Sequence, residues 1–211
     1  MTERAYVRGT LESYLDKLAG VEPEPGGGSV AALVGAMGAA LVTMVTNLTL
    51  GKDRYAAVQD DMAEIQASSE KLRRRLEELV TLDALAYGKV ATAMKLPRDD
   101  EAQKEARRRV LQAALKGAAE VPLEVAETAV EVARLSLPAA EKGNVNGISD
   151  AGVAVLLADA AAQSAALNVK INLAWIEDED FNRDTWARIE AALSETARLR
   201  DIVLAMTYSK I

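Results

Sequence analysis

Glu24-Pro25-Gly26-Gly27-Gly28-Ser29-Val30-Ala31-Ala32-Leu33 is the stretch whose reading decides the fold. Three consecutive glycines give a backbone that can adopt unusual angles and lie close against another surface. Ser29 then stands where a helix N-cap belongs, with a side-chain oxygen able to accept from the next turn's N–H groups. The 21 residues from Val30 to Leu50 carry no charge, which predicts a buried helix over 29–50. A glycine loop feeding a helix N-terminus leaves unpaired N–H groups and a positive dipole end facing one spot, a place to hold an anionic or polar group. The same loop can also simply start a buried helix, and the residues alone leave both readings open.

Neighbouring motifs are excluded by context. Gly26-Gly27-Gly28-Ser29-Val30-Ala31 fits a loose dinucleotide pattern, but that pattern needs a preceding strand. Val21-Glu22-Pro23-Glu24-Pro25 is no strand, because its prolines cannot donate to a ladder. No Gly-Lys-Ser/Thr follows, so there is no Walker loop. Val30–Leu50 has the length of a membrane span. Gly35, Gly38, Thr43, Thr46, Asn47 and Thr49 nevertheless make it only mildly apolar, and no positive cluster flanks one side alone. We expect a core helix of a cytoplasmic domain without a membrane partner, and Met1-Thr2-Glu3-Arg4 does not open a signal peptide.

Composition narrows the chemistry. The 211 residues suffice for one domain, 1–211, with a real core. Half are hydrophobic but only 4% aromatic, and alanine dominates, as in closely packed helices. A net charge of −7 argues against nucleic acid, which needs a basic face. Cysteine and histidine are both absent. This removes disulfides, thiol nucleophiles, the commonest general base and the commonest zinc ligand. Di-iron bundles built on Glu-x-x-His pairs are likewise excluded. Any catalysis falls to Asp, Glu, Lys or Tyr.

The remaining chain reads as helices, with no strand-like alternation. A first amphipathic helix is predicted over 3–19, with Leu11, Leu15 and Leu18 on one side. After a break at Gly51-Lys52-Asp53, a long helix is predicted over about 54–95. Its apolar seam runs through Val58, Met62, Ile65, Ser69, Leu72, Leu76, Leu79, Asp83, Ala86 and Val90 at alternating spacings of four and three. Asp83 is the anomaly in that seam, and Tyr87 lies one turn on. A buried carboxylate is costly unless paired or hydrogen-bonded, so Asp83 is a solvated break, half of an internal salt bridge, or a functional group. Leu96-Pro97 ends the helix. A basic helix over 99–119 follows, kinked or restarted by Pro122 and continued over 123–136, with Pro138 and Gly143 bounding a short connection. Asn144-Val145-Asn146-Gly147-Ile148-Ser149-Asp150 then leads into a second apolar helix, 150–174, capped by Ser149 or Asp150. Ser164, Asn168 and Asn172 form a polar stripe on it; buried amides need partners, so they satisfy each other and a backbone or line a pocket. A last amphipathic helix is predicted over 182–208, packed through Trp186, Ile189, Leu193 and Val203. The fold class is all-α: a multihelical up-and-down bundle with two buried central helices. Its small-residue surfaces and long seam offer more apolar face than one chain covers, which predicts a homodimer.

Several segments together resemble the formimidoyltransferase-cyclodeaminase C-terminal domain family, which includes free-standing methenyltetrahydrofolate cyclohydrolases. They are Pro25 to Leu33, Asp83-Ala84 with Ala86-Tyr87, Lys95-Leu96-Pro97, Val121-Pro122-Leu123, Ser149-Asp150 with Val153-Ala154, and Asn168 to Leu173. The resemblance spans nearly the whole chain in order, leaving no residues here for the transferase domain. It implies a helical homodimer acting on a one-carbon tetrahydrofolate, with one or more glutamates in its tail, and needing no metal or separate cofactor. Two reactions fit: hydrolysis of the 5,10-methenyl form to 10-formyltetrahydrofolate, or cyclodeamination of the 5-formimino form with loss of ammonia. A non-catalytic folate-binding dimer is the third reading. On this resemblance Asp83 is the base and cation stabiliser, Lys95 its proton-transfer partner, and Tyr87 the group positioning water or pterin. Gly26, Gly27, Gly28 and Ser29 would hold the pterin or a tail carboxylate, and Lys52, with Arg54, would attract the tail. Asn144, Asp150, Asn168 and Asn172 would read the pterin's polar edge.

Overall fold

The computed structural model describes residues 6–211, of which 87% are helical, with no strand among them. Six α-helices follow in order: α1 (Leu11–Leu18), α2 (Gly27–Thr49), α3 (Gln59–Met94), α4 (Glu101–Lys142), α5 (Ile148–Leu173) and α6 (Glu179–Lys210). Short 3-10 turns occupy Tyr6–Arg8, Asp53–Val58 and Val145–Gly147. Connections of a few residues make successive long helices antiparallel, so the bundle runs up and down as expected.

α2 and α5 form the centre. They lie antiparallel, because a Cβ at Gly35 would meet Ala161 and one at Gly38 would stand 3.0 Å from the Ala154 carbonyl. Such close approach needs the small residues that composition indicated. α3, α4 and α6 pack around this pair. The predicted α3 seam holds: Met62, Ile65, Leu76, Leu79 and Val90 are buried. Two polar contacts inside the bundle join neighbouring helices. Thr43 Oγ1 lies 2.7 Å from Ser69 Oγ, joining α2 to α3. Asp159 of α5, 4% exposed, accepts from Arg200 Nη1 and Thr196 Oγ1 of α6.

Four local expectations are corrected. The first helix is shorter than 3–19: it starts at Leu11 after a turn at Tyr6–Arg8, and residues 3–5 lie outside the described residues. Thr10 is its N-cap, and the buried residue is Tyr14, while Leu11 and Leu15 face outward. α2 begins two residues before Ser29, with Gly26 at the N-cap and no side-chain cap bond. Similarly α5 starts at Ile148 behind Gly147, so neither Ser149 nor Asp150 caps it. Finally, the two predicted segments 99–119 and 123–136 and the connection after Pro138 are one 42-residue helix, α4, containing both prolines.

The reason at Pro122 is visible. Proline has no N–H for the carbonyl four residues back, here Ala118. Asn172 of α5 supplies the missing donor, its Nδ2 lying 3.1 Å from the Ala118 oxygen. Pro122 itself is buried among neighbouring helices, so packing holds the chain straight through the defect.

Candidate active site

The N-terminal end of α2, the C-terminal half of α3 and the C-terminal end of α5 enclose a cleft of about 310 Å³. Gly26, Gly27 and Gly28 form one wall. Asp83, Ala84 and Tyr87 come from α3, and Asn168 and Asn172 from α5. Leu115 and Ala118 of α4 close the base, while Met94, Ile171 and Trp175 form an apolar rim. The volume and the mix of apolar surface with a few convergent polar groups suit a small aromatic ligand.

Asp83 is the centre of this cleft. Its carboxylate lies against Gly28 in the first turn of α2, where the backbone N–H of Ser29 favours its charged form. The helix N-terminus that sequence marked as an anion site is thus occupied by the protein's own carboxylate. A Cβ at Gly28 would stand 2.1 Å from Asp83 Oδ1, so only glycine admits the carboxylate here. Burial pushes the Asp83 carboxyl above the ordinary value, and the Ser29 N–H pulls it part of the way back. A carboxyl poised upward in a cleft is a general-base candidate.

Behind Asp83 stands Tyr14 of α1, 6% exposed, its hydroxyl 3.0 Å from Ser29 Oγ. Burial raises the Tyr14 phenol, the Ser29 bond lowers it, and nearby Asp83 and Tyr6 add to the rise. Ser29 therefore steadies the charge of Asp83 through its amide and holds Tyr14 through its hydroxyl, and its side chain, fully buried, faces the protein interior.

The polar stripe on α5 realises both sequence readings. Asn168 Nδ2 donates to Ser164 O (2.8 Å), and Asn172 Nδ2 donates to Asn168 O (2.9 Å) as well as to Ala118. Both amides also face the cleft, and these bonds leave their side-chain oxygens to present to a ligand.

The remaining predicted site residues are elsewhere. Lys95 is the C-cap of α3, one residue beyond Met94; its side chain is exposed and does not line the cleft. Lys52, Asn144 and Asp150 gather at the opposite end of α2, about 33 Å away at 1.5 Å per residue. There Asn144 serves the scaffold: its Nδ2 donates to Leu48 O (2.7 Å) and its amide N–H to Thr49 Oγ1 (2.8 Å). Lys52 is exposed and Asp150 half-buried in the first turn of α5. Three cleft residues were missed by sequence reasoning: Glu24, Trp175 and, behind the wall, Tyr14. Glu24 adjoins the glycine loop. Trp175 is one of two tryptophans and lies two residues past the end of α5, which was a usable signal.

Fold and cleft define an all-helical domain with a largely buried carboxylate on the wall of a partly apolar cleft. The formiminotransferase-cyclodeaminase family pattern matches residues 10–191, and the chain belongs to that family. It is 44% identical over 202 residues to a methenyltetrahydrofolate cyclohydrolase of Methylorubrum extorquens, covering 96% of this chain and 97% of that one. It is 32% identical to the formimidoyltransferase-cyclodeaminase of Rattus norvegicus, over 96% of this chain but 37% of that larger protein. Among solved structures, a formiminotetrahydrofolate cyclodeaminase from Thermotoga maritima superposes with a TM-score of 0.87 at 34% identity, covering 96% and 98% of the two chains.

Proposed function

We propose that this chain hydrolyses 5,10-methenyltetrahydrofolate to 10-formyltetrahydrofolate. The observation that carries the reading is the carboxylate of Asp83, held by the α2 N-terminus on the wall of a cleft sized for a pterin. The similarity to the Methylorubrum cyclohydrolase, which extends over both chains end to end, favours hydrolysis over deamination.

The chemistry follows from the charge of the substrate. The methenyl group is a cation delocalised over N5 and N10, and a fixed anion beside it stabilises binding and the approach to the transition state. Water adds its oxygen to the methenyl carbon while Asp83 takes one of its protons. The C–N5 bond then breaks as N5 receives that proton, and the new hydroxyl releases its own proton to solvent as the formyl C=O forms. The balance is one water consumed and one proton released. Tyr87, one turn along α3, holds the water or stacks on the pterin. The oxygens of Asn168 and Asn172 accept from its N–H groups. Lys95, outside the cleft, receives no step, and no metal or separate cofactor enters.

Assembly as a cytoplasmic homodimer is part of this reading. α2 exposes Met37 (53%) and Met44 (45%), and α5 exposes Leu156 (44%) and Leu167 (74%), although these are the two central helices. Such apolar faces on core helices are what a subunit interface covers.

Absorbance of the methenyl form tests the activity directly: decay faster than buffer is expected, and no acceleration with saturable binding would leave a binding module instead. The cyclodeaminase reading is supported by the Thermotoga neighbour. Supplying 5-formiminotetrahydrofolate and measuring ammonia separates the two, with the greater kcat/KM expected on the methenyl substrate.

A further inference from the structure

Among the described residues the cleft lacks something that a folate requires. A tetrahydrofolate ends in glutamate carboxylates, yet the charged side chains on the cleft wall among these residues are Glu24 and Asp83, both acidic. The cations that sequence reasoning marked for the tail, Lys52 and Arg54, are exposed at the far end of α2. Neither forms an ion pair among the described residues; Arg54 only lies over its own neighbour's ring, 5.7 Å from the centroid of Tyr55.

The uncovered face of α2 relates these two ends. Val30, Leu33, Met37, Leu41, Met44 and Leu48 recur at spacings of three and four and are all exposed or half-buried. This is one apolar stripe along the whole helix, and its midpoint falls between Met37 and Leu41. The exposed Val153, Leu156 and Leu167 of the antiparallel α5 widen it. A closed dimer uses the same patch on both chains. A two-fold axis through the stripe's midpoint and perpendicular to α2 sets Val30 opposite the second copy's Leu48. It thereby brings residues 52–54 of that copy to the glycine end of α2. The alternative axis, parallel to α2, sets like ends together, with Glu24 and Asp83 facing their own equivalents and two positive dipole ends side by side, which electrostatics disfavours.

We infer that each cleft is completed by a second copy of this chain, with Lys52 and Arg54 of the partner subunit supplying the cations for the substrate's glutamate carboxylates. The inference rests on the folate reading above. Asp53 and Asp150 share that end of α2, so the contribution is the reach of two long cationic side chains rather than a net positive field.

Heterodimers test it. One chain carries Asp83→Asn and the other Lys52→Ala with Arg54→Ala; different affinity tags allow purification of the mixed dimer alone. Lys52 and Arg54 are exposed, and Asn keeps the shape of Asp83, so the variants are expected to fold. Parent homodimers should be impaired: the first in kcat, the second by at least about tenfold in KM. If the site is shared, the mixed dimer has one fully wild-type site and one doubly defective site, and kcat/KM on 5,10-methenyltetrahydrofolate returns to about half of wild type. If each cleft uses its own chain's cations, both sites stay defective and the mixed dimer is no better than the Lys52→Ala, Arg54→Ala parent, which overturns the inference. A wild-type KM in the Lys52→Ala, Arg54→Ala homodimer, or a hydrolytically active monomer by sedimentation, also overturns it. Failure of the wild type to hydrolyse would instead sink the folate reading and the inference with it.

Discussion

The carboxylate of Asp83 packs against Gly28, beside the amide N–H of Ser29 that favours its charged form, so the first turn of α2 holds a base contributed by α3. The relationship gives Asp83 a structural partner without a counter-charge, which leaves it basic enough to take a proton.

Asp83→Asn keeps an oxygen for the Ser29 N–H but cannot act as a base. Turnover should fall at least about a hundredfold. The melting temperature at neutral pH should be unchanged or slightly higher, because burying the charge costs folding free energy. Asp83→Leu removes the acceptor as well and strands the Ser29 amide, so it should be less stable than Asp83→Asn by about 1 kcal/mol. Methenyl hydrolysis and thermal melts on the same two variants check both orders; a near-normal turnover for Asp83→Asn would remove the base from the mechanism.

Gly28→Ala separates geometry from stability. Its Cβ would stand 2.1 Å from Asp83 Oδ1, forcing the carboxylate to turn away from Ser29. Alanine also raises helix propensity by up to about 1 kcal/mol. Activity should therefore fall nearly as far as in Asp83→Asn, while denaturant midpoints change little. A variant that keeps full activity would show that the position of the carboxylate is not critical.

Asn172 and Pro122 should be coupled. Asn172→Ala removes the donor to the Ala118 carbonyl and should cost about 1 kcal/mol. In a Pro122→Ala background the helix supplies its own N–H, and the cost should shrink, giving a coupling of about 0.5–1 kcal/mol in a double-mutant cycle. Urea unfolding of the four proteins measures it, and strict additivity would contradict the account.

The raised Asp83 pKa fixes two pH signs. Activity needs the carboxylate, so kcat/KM should rise with pH along a limb above 3.8, the ordinary carboxylate value, and Asp83→Asn should lose that limb. For stability, the folded state holds the proton to higher pH than the unfolded chain does. The contribution is fully present below 3.8 and is lost as pH rises through the folded pKa. The stability of Asp83→Asn relative to wild type should thus increase across that window; a difference independent of pH would contradict the assigned shift.

The class of fold was legible because periodicity and composition are properties of the chain. An uncharged run from Val30 to Leu50, a three-four seam from Val58 to Val90 and the alanine content set the helical class and the two helices that lie inside. The seam also exposed Asp83, since a carboxylate among leucines violates the pattern that burial imposes. Helix ends were less legible: Ser29 has the chemistry of a cap, yet its hydroxyl is drawn to Tyr14, fifteen residues back. Pro122 has the chemistry of a break, yet Asn172, fifty residues away in sequence, replaces the donor it lacks. Which residues share a site was decided by tertiary structure alone. Asp83 and Gly28 meet because α3 folds back along α2, whereas Lys52 is carried to the other end because a helix of 23 residues is rigid and about 33 Å long. Sequence lists residues by chemistry; only the packing of the helices sets the distances between them.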